Sequence, residues 1–64
     1  MIDKKNRKYY SVELTKGETF SLMDFLSKND IYFENSYINS KYCHTEILLS
    51  PEEVTFVNNF LDTL

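Results

Sequence analysis

Cys43 and His44 are adjacent and carry the most reactive side-chain types in the chain. A thiol beside an imidazole could act as a nucleophile with its base, provided that both side chains reach the same side of the backbone. Neighbours in a strand point to opposite faces, so we expect Cys43 to be buried and His44 exposed. The chain has one Cys and one His, which rules out a disulfide framework and a structural zinc site.

The Glu52-Glu53 pair is the other candidate for acid–base chemistry. Both carboxylates fall in the first turn of a predicted helix, where capping and the helix dipole account for them. A single glycine, Gly17, leaves no phosphate-binding loop. A chain of 64 residues also rarely forms the enclosed pocket of an enzyme. We therefore predict no catalysis, no metal site and no cofactor.

Basic residues concentrate near the start of the chain. Residues 1–10 carry four basic residues and one acidic residue, a net charge of +3, whereas residues 11–64 carry three basic and nine acidic residues, a net charge of −6. Basic residues interleaved with tyrosine suit single-stranded nucleic acid, and here they are Lys5, Arg7, Lys8 and Tyr9. Because the acidic remainder repels phosphates, nucleic-acid or nucleotide binding is an alternative hypothesis.

The elements that position these residues follow from periodicity. Alternation predicts a strand over residues 8–15, whose inner face carries Tyr10, Val12 and Leu14. Lys16-Gly17 predicts a turn, after which residues 18–20 form either a short strand or a loop.

A short helix is predicted to begin at Ser21, because Ser21 and Asp24 match a capping box and Phe20 and Phe25 match a hydrophobic staple. Its inner face consists of Leu22, Phe25 and Leu26. Asn29-Asp30 is predicted to end it.

Residues 31–49 predict two strands joined at Asn39-Ser40, or alternatively at residues 34–36. The second strand places Cys43, Thr45, Ile47 and Leu49 on the inner face. A final helix follows, with Ser50 as N-cap, Pro51 at its first position and Glu53 at its third. Its apolar stripe is Val54, Val57, Phe60, Leu61 and Leu64.

The order β(β)αββα predicts an α+β fold: an antiparallel sheet of three or four strands with both helices on one face, in a split βαβ arrangement. We expect residues 1–7 to be a flexible basic leader and residues 8–64 to form a single domain.

Tyrosines exceed what a small core can hold. Ten aromatic residues occur in 64, and strand alternation places Tyr9, Tyr32 and Tyr42 on the sheet face away from the helices, together with Ile38 and Leu48. A tyrosine-rich, partly apolar face is typical of an interface. The residues predicted to bind a partner protein are the tyrosines and an acidic rim, namely Tyr9, Tyr32, Tyr37, Tyr42, Glu46, Glu52 and Glu53.

In size, acidity and its Asn-, Lys- and Tyr-rich composition, the chain resembles the small phage or mobile-element proteins that bind and inhibit a host enzyme. That resemblance implies a stoichiometric inhibitor or regulator that acts by occlusion in the host cytoplasm. A second copy would relieve the small core, so a homodimer is expected. A structural subunit of a larger assembly is a further alternative. One Cys and no apolar run of membrane-spanning length predict a cytoplasmic protein.

Overall fold

The structure, a computed structural model, describes residues 6–64. The elements are β1 (Lys8–Thr15), α1 (Lys16–Lys28), β2 (Phe33–Tyr37), β3 (Tyr42–Leu49) and α2 (Pro51–Leu61). The strands form one antiparallel sheet in the order β1-β3-β2. β1 and β2 therefore run parallel with β3 between them, as in a split βαβ unit. The predicted α+β class is confirmed, with three strands. Of the predicted leader, residues 1–5 lie outside the described residues.

α1 begins nearly two turns earlier than predicted. Its N-cap is Thr15, whose hydroxyl accepts a hydrogen bond from the Glu18 N–H (3.3 Å) while the Thr15 N–H donates to the Glu18 carboxylate (3.1 Å). Gly17 is the second residue of the helix and so lies outside the interior, where a glycine would cost about 1 kcal/mol relative to Ala. The predicted turn at Gly17, the possible strand over residues 18–20 and the N-cap at Ser21 are therefore wrong.

The predicted end of α1 is confirmed, and a Schellman motif closes it. Asn29 is the C-cap, and Asp30 takes the left-handed conformation with φ of 56°. The Ile31 N–H donates to the Leu26 carbonyl (3.0 Å) and the Asp30 N–H to the Ser27 carbonyl (3.3 Å), which satisfies two carbonyls at the helix end. Ile31 and Leu26 are both buried, so the chain leaves the helix pinned to the core.

Both helices pack on one face of the sheet, hereafter the inner face. The buried cluster there is Leu22, Leu26, Ile31, Ile47, Leu49 and Val57. The predicted inner positions of the second helix are confirmed except for Leu64, which lies beyond the end of α2 and is exposed. The ring of Phe25 in α1 stacks on that of Phe60 in α2 (centroids 4.1 Å apart) and contacts Phe56 (5.0 Å). These rings join the two helices.

The turn between β2 and β3 lies at Asn39-Ser40, as predicted. The Asn39 side-chain oxygen accepts hydrogen bonds from the N–H groups of Lys41 (2.8 Å) and Tyr42 (3.0 Å), as in an Asx turn. The alternative turn at residues 34–36 is wrong, because those residues pair with β3. α2 also begins as predicted, with Ser50 as N-cap and Pro51 first in the helix.

Candidate protein-binding surface

The sheet face opposite the helices, hereafter the outer face, is left uncovered by the described residues. Strand register places on it Tyr9, Ser11, Glu13 and Thr15 from β1, Glu34 and Ser36 from β2, and Tyr42, His44, Glu46 and Leu48 from β3. Tyr32 and Ile38 continue the same alternation just outside the two ends of β2. Three of the five tyrosines therefore lie on one surface.

One end of the outer face is apolar. Leu48 on the central strand lies opposite Tyr9, and its N–H donates to the Tyr32 carbonyl (3.0 Å). Leu48 is 5% exposed, whereas Tyr9 is 52% and Tyr32 45% exposed. The two rings thus flank a shielded leucine and present apolar area with polar tips, a composition that suits interface cores.

The middle of the outer face is acidic. Glu34 lies directly opposite Glu46 in the β2–β3 register, and Glu13 lies opposite His44 across β1–β3. His44 is itself 3.5 Å from the Glu46 carboxylate (Nε2 to Oε1). Like charges directly opposite each other destabilise a sheet, and a single imidazole cannot neutralise three carboxylates. The register therefore sets two carboxylates opposite each other on a face where none of the described strand residues is Lys or Arg.

Glu34 connects the acidic middle to the tyrosine end. The Tyr9 hydroxyl lies 3.5 Å from the Glu34 carboxylate. The negative charge of Glu34 raises the pKa of Tyr32, and desolvation and a hydrogen bond to Glu34 act in the same direction. The phenols of Tyr9 and Tyr32 therefore converge on one carboxylate.

The structure brings together some of the predicted binding residues and separates others. Tyr9, Tyr32, Tyr42 and Glu46 share the outer face. Tyr37 lies on the helix side of β2, 77% exposed, with the Lys16 ammonium 5.4 Å from its ring centroid. Glu52 and Glu53 belong to the first turn of α2, in the helix layer.

Glu53 forms contacts that stabilise the fold itself. It forms an ion pair with Arg7, and the Ser50 N–H donates to its carboxylate (3.0 Å). Desolvation raises the pKa of Glu53, but the hydrogen bonds from Ser50 and Arg7 outweigh it, so the pKa lies below its ordinary value of 4.5. This carboxylate holds the entry to β1 against α2.

The residues of the nucleic-acid alternative are dispersed. Lys5 lies outside the described residues. Arg7 pairs with Glu53, and Lys8 and Tyr9 point to opposite faces of the sheet because they are adjacent in β1. The fold therefore does not bring Arg7, Lys8 and Tyr9 together on one basic and aromatic surface.

Cys43 and His44 lie as predicted, with Cys43 buried on the inner face and His44 partly exposed on the outer face. Within residues 6–64, no group of three or more His, Cys, Asp or Glu side chains is placed to hold a metal ion. In the same range, no helix has the length and apolar character needed to cross a membrane.

Among the outer-face residues that were missing from the predicted binding set, three have ionisable side chains: Glu13, Glu34 and His44. Alternation alone assigns them to the outer face, so that signal was available in the sequence. Their significance comes from register, which sets Glu34 against Glu46 and Glu13 against His44.

Comparison of the chain with protein-family models, curated proteins and solved structures finds no match.

Proposed function

We propose that the protein is a binding module that occludes a surface of a larger protein through its outer face, as a stoichiometric inhibitor or regulator. The observation that carries this proposal is a sheet face, uncovered by the described residues, on which half-exposed tyrosines lie beside directly opposed carboxylates. Such a face costs stability in the isolated chain, and a partner that covers it would relieve that cost. The resemblance in size and composition to small phage inhibitors supports the same function.

The charge of the face favours a basic partner surface. Glu13, Glu34 and Glu46 give it a charge of −3 with His44 neutral, and none of its described residues is Lys or Arg. An arginine suits this environment best, because its planar guanidinium can bind a carboxylate through two hydrogen bonds and stack on tyrosine. Complementary charge would also speed association at low salt.

The size of the face defines its share of such an interface. From Tyr9 to Thr15 the strand runs for about 20 Å, and three strands span about 14 Å, an area of roughly 300 Å². A standard interface covers about 800 Å² on each partner. The outer face would therefore supply the centre of the interface, where aromatic and arginine side chains concentrate binding energy, and surrounding residues would supply the rim.

Site-specific photo-crosslinking in the cell that makes the protein tests the proposal. The photoreactive residue p-benzoylphenylalanine replaces Ser11, exposed on the outer face, or, as a matched control, Thr55, exposed on α2. We expect the Ser11 variant to form a one-to-one adduct with one protein, through a segment that contains arginine or lysine. The Thr55 variant should not capture that protein.

Three outcomes would contradict the proposal. The first is capture of a protein by the Thr55 variant but not by the Ser11 variant, and the second is a crosslinked segment of acidic composition. The third is an adduct to nucleic acid, which would favour the alternative of nucleic-acid binding. An adduct between two copies of this chain at Ser11 would instead assign the outer face to the interface of the expected homodimer. It would thereby contradict binding of a larger protein through this face. Molar mass measured against protein concentration then identifies the stoichiometry.

A further inference from the structure

The edge of β2 away from β3 is open among the described residues. The Leu48 N–H donates to the Tyr32 carbonyl, and the Ile38 N–H donates to the Tyr42 carbonyl (3.2 Å). Because the residues of an antiparallel ladder bond alternately to one side and the other, the even-numbered residues of β2 bond to β3. The N–H and C=O groups that face the open edge are those of Phe33, Asn35 and Tyr37.

A groove of about 90 Å³ lies beside this edge, between α1 and β2, and its apolar walls include Phe20, Met23, Tyr37 and Cys43. Phe20 is 65% and Tyr37 77% exposed, so two aromatic rings reach solvent at its mouth. An apolar cavity of about 150 Å³ holds benzene, and the smaller groove here suits one aliphatic side chain.

A cation completes this surface. The Lys16 ammonium lies over the Tyr37 ring, and within residues 6–64 no carboxylate forms an ion pair with it. The groove side of the edge therefore has a positive charge, whereas the outer face is negative. A carboxylate group on the ligand would therefore strengthen binding at this edge, whereas the outer face favours a basic ligand.

We propose that the β2 edge binds an extended segment of another protein, which adds as a fourth strand, places an aliphatic side chain in the groove and sets a carboxylate near Lys16. An extended chain repeats its donors and acceptors every second residue, as the open edge does. Its side chains on the helix side then fall over the groove and Lys16. This surface is separate from the outer face, so the inference stands independently of the proposed function.

Nuclear magnetic resonance of the full chain tests the inference with a synthetic peptide, acetyl-Val-Thr-Leu-Thr-Glu-amide, and with its counterparts that have Ile or Val in place of Leu. We expect saturable shifts in the backbone amides of Phe33, Asn35 and Tyr37. Tyr37→Pro removes an edge donor without touching the β2–β3 ladder, and Tyr37→Thr is the control that also loses the ring but keeps the N–H. The proline variant should bind about fivefold more weakly than the threonine variant.

Lys16→Gln should weaken binding of the glutamate peptide more than binding of its glutamine counterpart. No saturable shift with any of the three peptides would overturn the inference, as would equal affinities of the Tyr37→Pro and Tyr37→Thr variants when both give folded spectra. Edge-amide shifts that depend on protein concentration without peptide would assign the edge to a second copy and also overturn it. Tyr9→Ser, on the outer face, should leave peptide affinity unchanged.

Discussion

Replacing Glu34 with Gln should stabilise the protein, although Glu34 accepts hydrogen bonds from two phenols. The substitution keeps an oxygen that can accept from the Tyr9 hydroxyl but removes the charge that faces Glu46. If the charge of Glu34 mainly repels Glu46, the substitution stabilises the fold; if that charge mainly strengthens the hydrogen bonds from the phenols, the substitution destabilises it. The sign of the effect therefore tests whether the opposed carboxylates cost stability.

The magnitude follows from the register. Paired residues in an antiparallel ladder have Cα atoms about 5.5 Å apart, and two unit charges about 6 Å apart repel by roughly 0.7 kcal/mol in water and about 3 kcal/mol at an effective dielectric constant of 20. The Glu46 side chain is 47% exposed, so the lower end applies. We expect Glu34→Gln to raise the free energy of unfolding by about 0.5–1 kcal/mol, which is roughly 2–8 °C in Tm for a domain of this size.

Urea unfolding followed by circular dichroism, at low salt and in 1 M salt, measures the effect. The gain should disappear in 1 M salt, where the Debye length is about 3 Å. The pKa of Tyr32 should fall toward its ordinary value of 10.0 in the variant, because the charge of Glu34 is the main cause that raises it. Glu52→Gln is the matched control with the opposite sign, since it removes a favourable helix-dipole interaction worth about 0.3–1 kcal/mol. Destabilisation by Glu34→Gln, or a gain that persists in 1 M salt, would refute the reasoning.

Three further predictions concern the fold. Thr15→Ala should lower the free energy of unfolding by about 1 kcal/mol because Thr15 caps α1, whereas Ser21→Ala, inside the helix, should change it by less than about 0.5 kcal/mol; equal losses in urea unfolding would contradict the assigned helix start. Leu22→Ala should cost about 2–5 kcal/mol, enough to unfold much of a marginally stable small chain, as circular dichroism would show; a cooperative transition near that of the wild type would place Leu22 outside the core. Because the pKa of Glu53 is lowered in the folded state, its stabilisation is present above its ordinary pKa of 4.5 and lost as the pH falls further. Glu53→Gln should therefore make stability less dependent on pH below 4.5, and an unchanged acid transition would argue against the hydrogen bonds from Ser50 and Arg7 that lower this pKa.

The local signals in this sequence predicted most of the fold. Alternation identified β1 and β3, and the Ser50-Pro51 start of α2 was correct because its cap, proline and acidic turn agree. The start of α1 was wrong because the sequence contains two overlapping capping signals, one at Thr15 and one at Ser21. The earlier helix also buries Thr19, which follows Thr15 by one turn and donates its hydroxyl to the Thr15 carbonyl (2.8 Å). Gly17, read as a turn, is tolerated in that first turn.

Strand alternation predicts which residues lie on the outer face, but it does not predict which of them lie opposite each other. Alternation placed Tyr9, Tyr32 and Tyr42 on one face, which the register confirms. The opposition of Glu34 and Glu46 depends on how β2 pairs with β3 and on the position of their turn, so composition could not reveal it. Tyr37 was included in the predicted interface because of its residue type, although strand alternation places it on the helix side of the sheet, where the structure has it.

The most direct test of the central claim compares two adjacent tyrosines on opposite sheet faces. Tyr9→Ser alters the outer face, and Tyr10→Ser alters the inner face of the same strand, where Tyr10 is 39% exposed. The measurement is the affinity of each folded variant, by calorimetry, for the protein captured at Ser11. We predict that Tyr9→Ser weakens binding by about 30-fold, as expected for a tyrosine at an interface centre, and that Tyr10→Ser changes it by less than about threefold. Equal losses, or a loss confined to Tyr10→Ser, would contradict binding through the outer face.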